Sequence, residues 1–222
     1  MFVVTPAFLY YSFDTSTIYG STVTNLGSGG SAYNAVLIFG ASISTTDKAA
    51  GSAAILLSST TSQYVQIPFF STGTNGLSFA FWFKFSSSAQ DSSIFDFGNG
   101  SMMDDVFFAL QSDNDCYITS YQGATSSSQG DVTQNSVNDG VWRHAVWTID
   151  NTGSSIVYLN GVSVNTFNTV SYPTATSRSN NYLGKSNQES DPSMNGGIDE
   201  FYMFQYVLTA LQVQQLYTNT IV

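Results

Sequence analysis

Between Leu77 and Phe85 the chain alternates without a break. Leu77, Phe79, Phe81, Phe83 and Phe85 are large and apolar, and Ser78, Ala80, Trp82 and Lys84 fall between them. Successive residues of a β-strand point to opposite faces, so a period of two places all five large side chains on one side of an extended segment. Five such side chains on one face require a thick packed layer opposite them. Eleven further segments read as strands, being short, aromatic and β-branched, and bounded by Ser, Gly, Asn and Asp clusters. They are Ala7–Phe13, Ala53–Leu57, Tyr64–Ile67, Ser93–Phe97, Val106–Leu110, Cys116–Tyr121, Trp142–Ile149, Ser155–Leu159, Val162–Asn165, Asn181–Leu183 and Ile198–Phe204. Asn160-Gly161 joins two of them, and that dipeptide tolerates the positive φ that a two-residue hairpin turn demands. Near the end, Thr209 and Gln212 form a capping-box pattern, with Val213, Leu216 and Tyr217 following at helical spacing.

These elements predict an all-β chain, a two-sheet antiparallel β-sandwich or jelly roll with one short C-terminal helix. No Pro-rich or charged linker divides it, so residues 1–222 read as a single domain. Residues 20–51 are Gly- and Ser-rich and read as a long ordered loop, with a weak strand around Ala35–Phe39. Charged residues are 9% of the chain, against about 25% in a typical soluble domain. Hydroxyl side chains do the solvating instead. The formal net charge is −10, with 15 Asp and Glu against 5 Lys and Arg and no basic cluster, which excludes nucleic acid as a partner. No run approaches the ~20 apolar residues that cross a bilayer. Met1–Tyr11 has no basic leader region, so no signal peptide is visible. Cys116 is alone, which excludes an internal disulfide framework and a cysteine zinc site.

Three stretches resemble one family. Val141-Trp142-Arg143-His144-Ala145-Val146-Trp147-Thr148-Ile149-Asp150, followed by Tyr158-Leu159-Asn160-Gly161, is similar to a hairpin of the laminin-G-like jelly rolls in the concanavalin A-like lectin/glucanase superfamily. Gly196-Gly197-Ile198-Asp199-Glu200-Phe201-Tyr202, then Val207-Leu208-Thr209 and Leu216-Tyr217, resembles that family's closing strand and helix. Tyr11-Ser12-Phe13-Asp14 and Tyr64-Val65-Gln66-Ile67-Pro68 resemble its opening strands. The resemblance implies an extracellular or surface-displayed sandwich of a kind that often binds glycans and often holds Ca²⁺. The fold hosts many functions, so function is argued from a site.

A retaining glucanase needs two carboxyls about 5–5.5 Å apart, which period two supplies from one strand. This chain has only Glu189 and Glu200, in different segments. His144, the only imidazole, falls inside a strand, where it reads as a structural histidine rather than a general base. The reading is therefore not an enzyme. For calcium, Asp14 ends the first strand and Asp199 begins the closing one, strands that the resembled fold sets side by side. The two carboxylates could meet near a carbonyl of Asn25–Gly30, as a structural Ca²⁺ site. Asp199 shares strand parity with Phe201 and Met203, expected to face inward, where a carboxylate needs a partner; the alternative is that it caps backbone N–H groups. Asp104-Asp105 and Asp113-Asn114-Asp115 bracket Val106–Leu110 and read as exposed turn aspartates. Asn99-Gly100-Ser101 is an N-glycosylation pattern.

A sugar site needs an exposed ring beside amides and carboxylates. Tyr10, Tyr19, Tyr33, Tyr121, Tyr172 and Tyr182 fall at strand ends or in loops, with Asn180, Asn181, Asn187 and Gln188 near the last two. The sequence does not choose among them. The functional expectation is a non-catalytic, secreted or surface-displayed binding or adhesion module for a glycan or surface glycoprotein. The alternative is a structural component of a virion or other surface assembly, packing with coat or surface proteins. A glycoside hydrolase is the third reading.

Overall fold

The computed structural model describes residues 6–124, 126–132, 136–173 and 175–218. Residues 1–5, on which part of the leaderless reading of Met1–Tyr11 falls, lie outside the described residues. The strands are β1 (Leu9–Tyr11), β2 (Ile18–Tyr19), β3 (Thr22–Val23), β4 (Ala35–Ile38), β5 (Ser42–Ser44), β6 (Ala54–Leu57), β7 (Tyr64–Ile67), β8 (Phe70–Ser71), β9 (Leu77–Phe85) and β10 (Ser93–Gly98). They continue as β11 (Val106–Leu110), β12 (Cys116–Gln122), β13 (Ser126–Asp131), β14 (Arg143–Ile149), β15 (Ser155–Leu159), β16 (Val162–Phe167), β17 (Ser177–Arg178), β18 (Asn180–Leu183) and β19 (Gly196–Phe204), followed by helix α1 (Ala210–Tyr217). One sheet runs β16-β15-β14-β9-β19-β6-β5, with β1 beside β19. The other runs β13-β12-β11-β10-β18-β7-β4-β3-β2. Neighbouring strands pair antiparallel, for example β9 with β14 and β10 with β18.

The alternation in β9 does what its period demands: Leu77, Phe79, Phe81, Phe83 and Phe85 are all buried in the layer between the sheets. Phe81 sits 5.3–5.9 Å, ring centroid to centroid, from Phe83, Phe95, Phe108 and Phe201. The other side of β9 is covered too. Ala80 packs in a second cluster with Val146, Tyr158, Phe204 and Leu208, closed by Val213 and Leu216 of α1. The helix opens on the expected capping box, with Gln212 N–H donating to Thr209 Oγ1 and Thr209 N–H donating to Gln212 Oε1. Asn160 and Gly161 both have positive φ, 49° and 78°, and Leu159 faces Val162 across the turn.

The structure corrects two readings of the fold. Within residues 20–51 the weak strand expected around Ala35–Phe39 is β4, and beyond it β3 extends the same sheet, β5 edges the other, and a 3₁₀ turn covers Ser31–Tyr33, so the rest of the segment is more than a loop. Strands of two or three residues, such as β2, β3 and β5, carry too short a pattern to show in sequence; their partners define them. The Ser-rich β13 was likewise not anticipated, and it is held by backbone pairing to β12.

The second correction concerns β19. Its first part pairs with β6 at residues 196–198 and its last part with β1 at 201–203, on the same edge. Between them the register to β9 slips by one residue, with Asp199 opposite Trp82 and Tyr202 opposite Ala80. Glu200 absorbs the slip at φ 49°. Such a bulge reverses the facing of everything after it. Ile198, Phe201 and Met203 all point into the core, and Asp199 shares the opposite face with Trp82, not the face of Phe201 and Met203.

Candidate functional site

The outer face of the β10-containing sheet follows from the same alternation. In β7, Val65 and Ile67 are core, so Tyr64 and Gln66 turn outward. In β18 Leu183 is core and Tyr182 turns outward; in β10 Phe95 and Phe97 are core and Asp96 turns outward. The registers align these positions, Thr119 opposite Phe107, Phe107 opposite Asp96, Asp96 opposite Tyr182, Tyr182 opposite Gln66 and Gln66 opposite Val36, into one row crossing six strands.

Beyond β18 the chain folds back over this row. Asn187 donates from its backbone N–H to Asp96 Oδ2 and from its side-chain amide to Oδ1, each at 2.8 Å. Ser186 donates to Asp191 Oδ2 at 2.8 Å. Asp96 is fully buried and anchors the turn; burial raises its pKa, against the hydrogen bonds from Asn187. The fold-back leaves a cleft of about 400 Å³ lined by Phe39, Ser59, Ser62, Tyr64, Lys185, Ser186, Gln188, Glu189, Asp191, Pro192 and Ser193. Its rings form a step: Phe39 meets Tyr64 edge-on at 5.9 Å, and Tyr64 meets Tyr182 edge-on at 5.4 Å. Phe39 is 67% exposed. Lys185 Nζ lies 4.8 Å from the Tyr64 ring and 4.6 Å from the Tyr182 ring. Rings that present apolar surface beside hydroxyls, an amide and charges can take up a polyhydroxylated ligand with apolar ring faces.

Of the residues anticipated for a sugar site, Gln188 lines the cleft, Tyr182 packs edge-on against its Tyr64, and Asn187 is bonded to Asp96. Tyr10 is stacked on Tyr202 at 4.2 Å, Tyr33 packs edge-on against Phe8, and Tyr172 donates its hydroxyl to Gly73 O. Tyr19 is exposed on the edge strand β2. Phe39, Tyr64 and Lys185 were not anticipated. The available signal was parity, since Val65 and Ile67 inside force Tyr64 outside.

Asp14 and Asp199 each accept from residues 49–52. Ala49 and Ala50 donate backbone N–H groups to Asp199 Oδ2 at 3.0 and 2.9 Å. Ser52 donates both its backbone N–H and its hydroxyl to Asp14 Oδ1. Burial opposes the charged form of Asp14, yet the Ser52 bonds outweigh it and hold the carboxyl below the usual range. Asp199 is fully buried, its Oδ1 meets no partner among the described residues, and burial pushes its pKa up to about 7. Calcium takes six to eight oxygen ligands. Here amide hydrogens already occupy one oxygen of each carboxylate, and no group of three or more His, Cys, Asp or Glu that could hold a metal occurs among the described residues. The donor set fits a loop anchor and does not fit a calcium cage.

Glu200 Oε2 accepts from the hydroxyls of Tyr10 and Tyr202 at 2.8 and 2.6 Å in the β9-containing sheet, whereas Glu189 lies on the cleft rim of the other sheet. His144 is buried in β14 beside Trp82, and burial lowers its pKa to about 4. The hairpin of β11 and β12 puts Asp104-Asp105 at one end of β11 and Asp113–Asp115 at the other, so the clusters stay apart. Asp105 and Asp115 are buried rather than exposed as expected of turn aspartates. Asn99 uses its side chain to bridge Ser177 O and Ser179 N–H.

Residues 59–214 match the laminin G family model described as the concanavalin A-like lectin/glucanases superfamily. Among solved structures, the chain is similar to domain 4 of AbnA, a GH43 extracellular arabinanase from Geobacillus stearothermophilus, solved in complex with arabinotriose. That match has a TM-score of 0.71 and 23% identity, and covers 95% of this chain and 98% of that one. It is similar as well to the binding domain of botulinum neurotoxin serotype D/C (TM-score 0.70, 16% identity, 96% of this chain and 52% of that one). The binding domain of Paraclostridial Mosquitocidal Protein 1 follows (TM-score 0.69, 13% identity, 96% and 52%). The chain spans about half the length of those two toxin domains, 52% of each. At these identities the likeness is one of fold. No sequence of a curated protein matches.

Proposed function

This chain belongs to the concanavalin A-like lectin/glucanase superfamily, and from that premise we propose that it is a non-catalytic binding module, secreted or surface-displayed, that holds a glycan in the cleft above Tyr64 and Tyr182. The observation that carries the reading is the pair of rings Phe39 and Tyr64 lining a cleft with serines and Gln188, Tyr182 being packed edge-on against Tyr64. Supporting it, several neighbours in fold are binding domains, and one was solved with an arabinose trisaccharide. The non-catalytic part rests on the carboxylates. Glu200 lies on β19 away from the cleft, bonded to Tyr10 and Tyr202, and of the two carboxylates that line the cleft, Glu189 and Asp191, the second is engaged by the hydroxyls of Ser186 and Ser190. No helix among the described residues is long and apolar enough to cross a membrane.

A glycan panel that includes arabino-oligosaccharides tests the reading. Binding is expected, and Tyr64→Ala and Tyr182→Ala are each expected to weaken it by about tenfold, the worth of a stacked ring, with little change in melting temperature. If the wild-type chain binds no glycan, the reading fails and a structural role in a surface assembly takes its place.

We propose that Asp14 and Asp199 anchor residues 49–52 without calcium, a reading with its own test. Because amide hydrogens fill one oxygen of each carboxylate, the expected result is that EDTA leaves the melting temperature unchanged. A rise in melting temperature with millimolar Ca²⁺, lost in Asp199→Asn, would establish the ion by linkage.

A further inference from the structure

We infer that the ligand of the cleft is an acidic glycan whose carboxylate pairs with Lys185; this deepens the glycan-binding reading and rests on it. The chain has five cations, and four are met by oxygen. Lys84 pairs with Asp47 and Arg143 with Asp139. Arg178, fully buried, donates to Asp104 O and Thr72 Oγ1, and Lys48 donates to Gly51 O. Lys185 alone of the five has no oxygen partner among the described residues; its ammonium lies 4.6 and 4.8 Å from the centroids of Tyr182 and Tyr64. The ring faces hold the ammonium by cation–π attraction without satisfying its N–H donors. Those donors belong to a residue that lines the cleft, where the oxygen left to meet them is that of water or ligand.

The cleft also carries two carboxylates, Glu189 and Asp191, and the pairing depends on how they are engaged. Of its two carboxylates, Asp191 is engaged by the hydroxyls of Ser186 and Ser190, and Glu189 sits exposed on the rim. A sugar carboxylate placed on Lys185 would form a charge-assisted bond while its ring lies against Tyr64 or Tyr182. Glu189 then acts against it, as a like charge at the edge, which sets an upper limit on affinity and makes its removal informative.

The test compares trigalacturonate with its methyl ester, and sialyllactose with lactose, by calorimetric titration of the whole chain. Each acid is expected to bind about tenfold more tightly than its uncharged counterpart, the scale of one charge-assisted hydrogen bond, and less so at high salt. Lys185→Gln should remove that preference, Lys185→Arg should keep it, and Glu189→Gln should strengthen it by a few-fold. The Arg variant guards against Gln acting through loss of packing on the two rings. Equal affinity for acid and ester overturns the inference and leaves glycan binding standing, as does binding of neutral sugars alone. Binding of none overturns both. Binding of one acid and not the other identifies which carboxylated sugar the cleft accepts.

Discussion

Phe81→Ala is expected to lower the free energy of unfolding by about 3–5 kcal/mol, the range for truncating a buried phenylalanine. Phe81 has no exposed surface and touches four rings contributed by β9, β10, β11 and β19, so its loss opens a cavity at the point where both sheets meet. Neighbouring rings cannot close it without leaving their rotamers. Against the roughly 5–15 kcal/mol by which domains are stable, this is a large share. Phe39→Ala provides the contrast. Being 67% exposed, Phe39 should change stability by no more than about 0.5 kcal/mol, while removing a wall of the cleft. Urea unfolding of the two variants separates core from platform, and a comparable loss in both would contradict the assignment of Phe39 to the site.

Stability is expected to rise as pH falls from 8 to about 6.5, opposite to the usual behaviour of salt-bridged carboxylates. Asp199 has its pKa raised to about 7 by burial, and burial likewise raises Asp96, Asp105, Asp191 and Glu200. Unfolded, all five titrate near pH 4. Above that point the native chain binds more protons than the unfolded one, so ionising these groups on the way to pH 8 costs stability. His144 opposes the trend only below its unfolded pKa of about 6.5, because its native pKa is about 4. Asp14, Asp47, Asp139 and Asp150 are lowered in the native state, so their contribution is present above pH 4 and lost below it. The melting temperature at pH 6.5 should therefore exceed that at pH 8 by about 3–6 °C, corresponding to roughly 1–2 kcal/mol. Asp199→Asn keeps an acceptor for Ala49 and Ala50 and should flatten the slope. Asp113→Asn, which removes an exposed charge, should not. Equal slopes in the two variants, or a melting temperature that rises toward pH 8, would refute the account.

The sheets were legible in the chain because the signal for them is local. Period two in β9, Asn-Gly between β15 and β16, and the Thr209–Gln212 box each declare a conformation from a few adjacent residues. The roles of Asp14 and Asp199 were legible only in part. That their strands are neighbours is seen in β1 lying beside β19. That the two carboxylates grip residues 49–52 was not legible, because the partners are backbone N–H groups, which every residue has.

What the sequence determined by itself is the alternation, and with it the two faces of nearly every strand. Tertiary structure decided two things. The first is the composition of the cleft. Phe39 and Lys185 are 146 positions apart (185 − 39) and meet at Tyr64 only because the β18–β7–β4 pairing brings their segments together. The second is the facing of Asp199. Alternation alone turns it inward with Phe201, but β19 exchanges β6 for β1 at that point, and the bulge at Glu200 reverses the count. A periodic pattern is a property of neighbours in sequence, whereas a bulge is imposed by neighbours in the sheet.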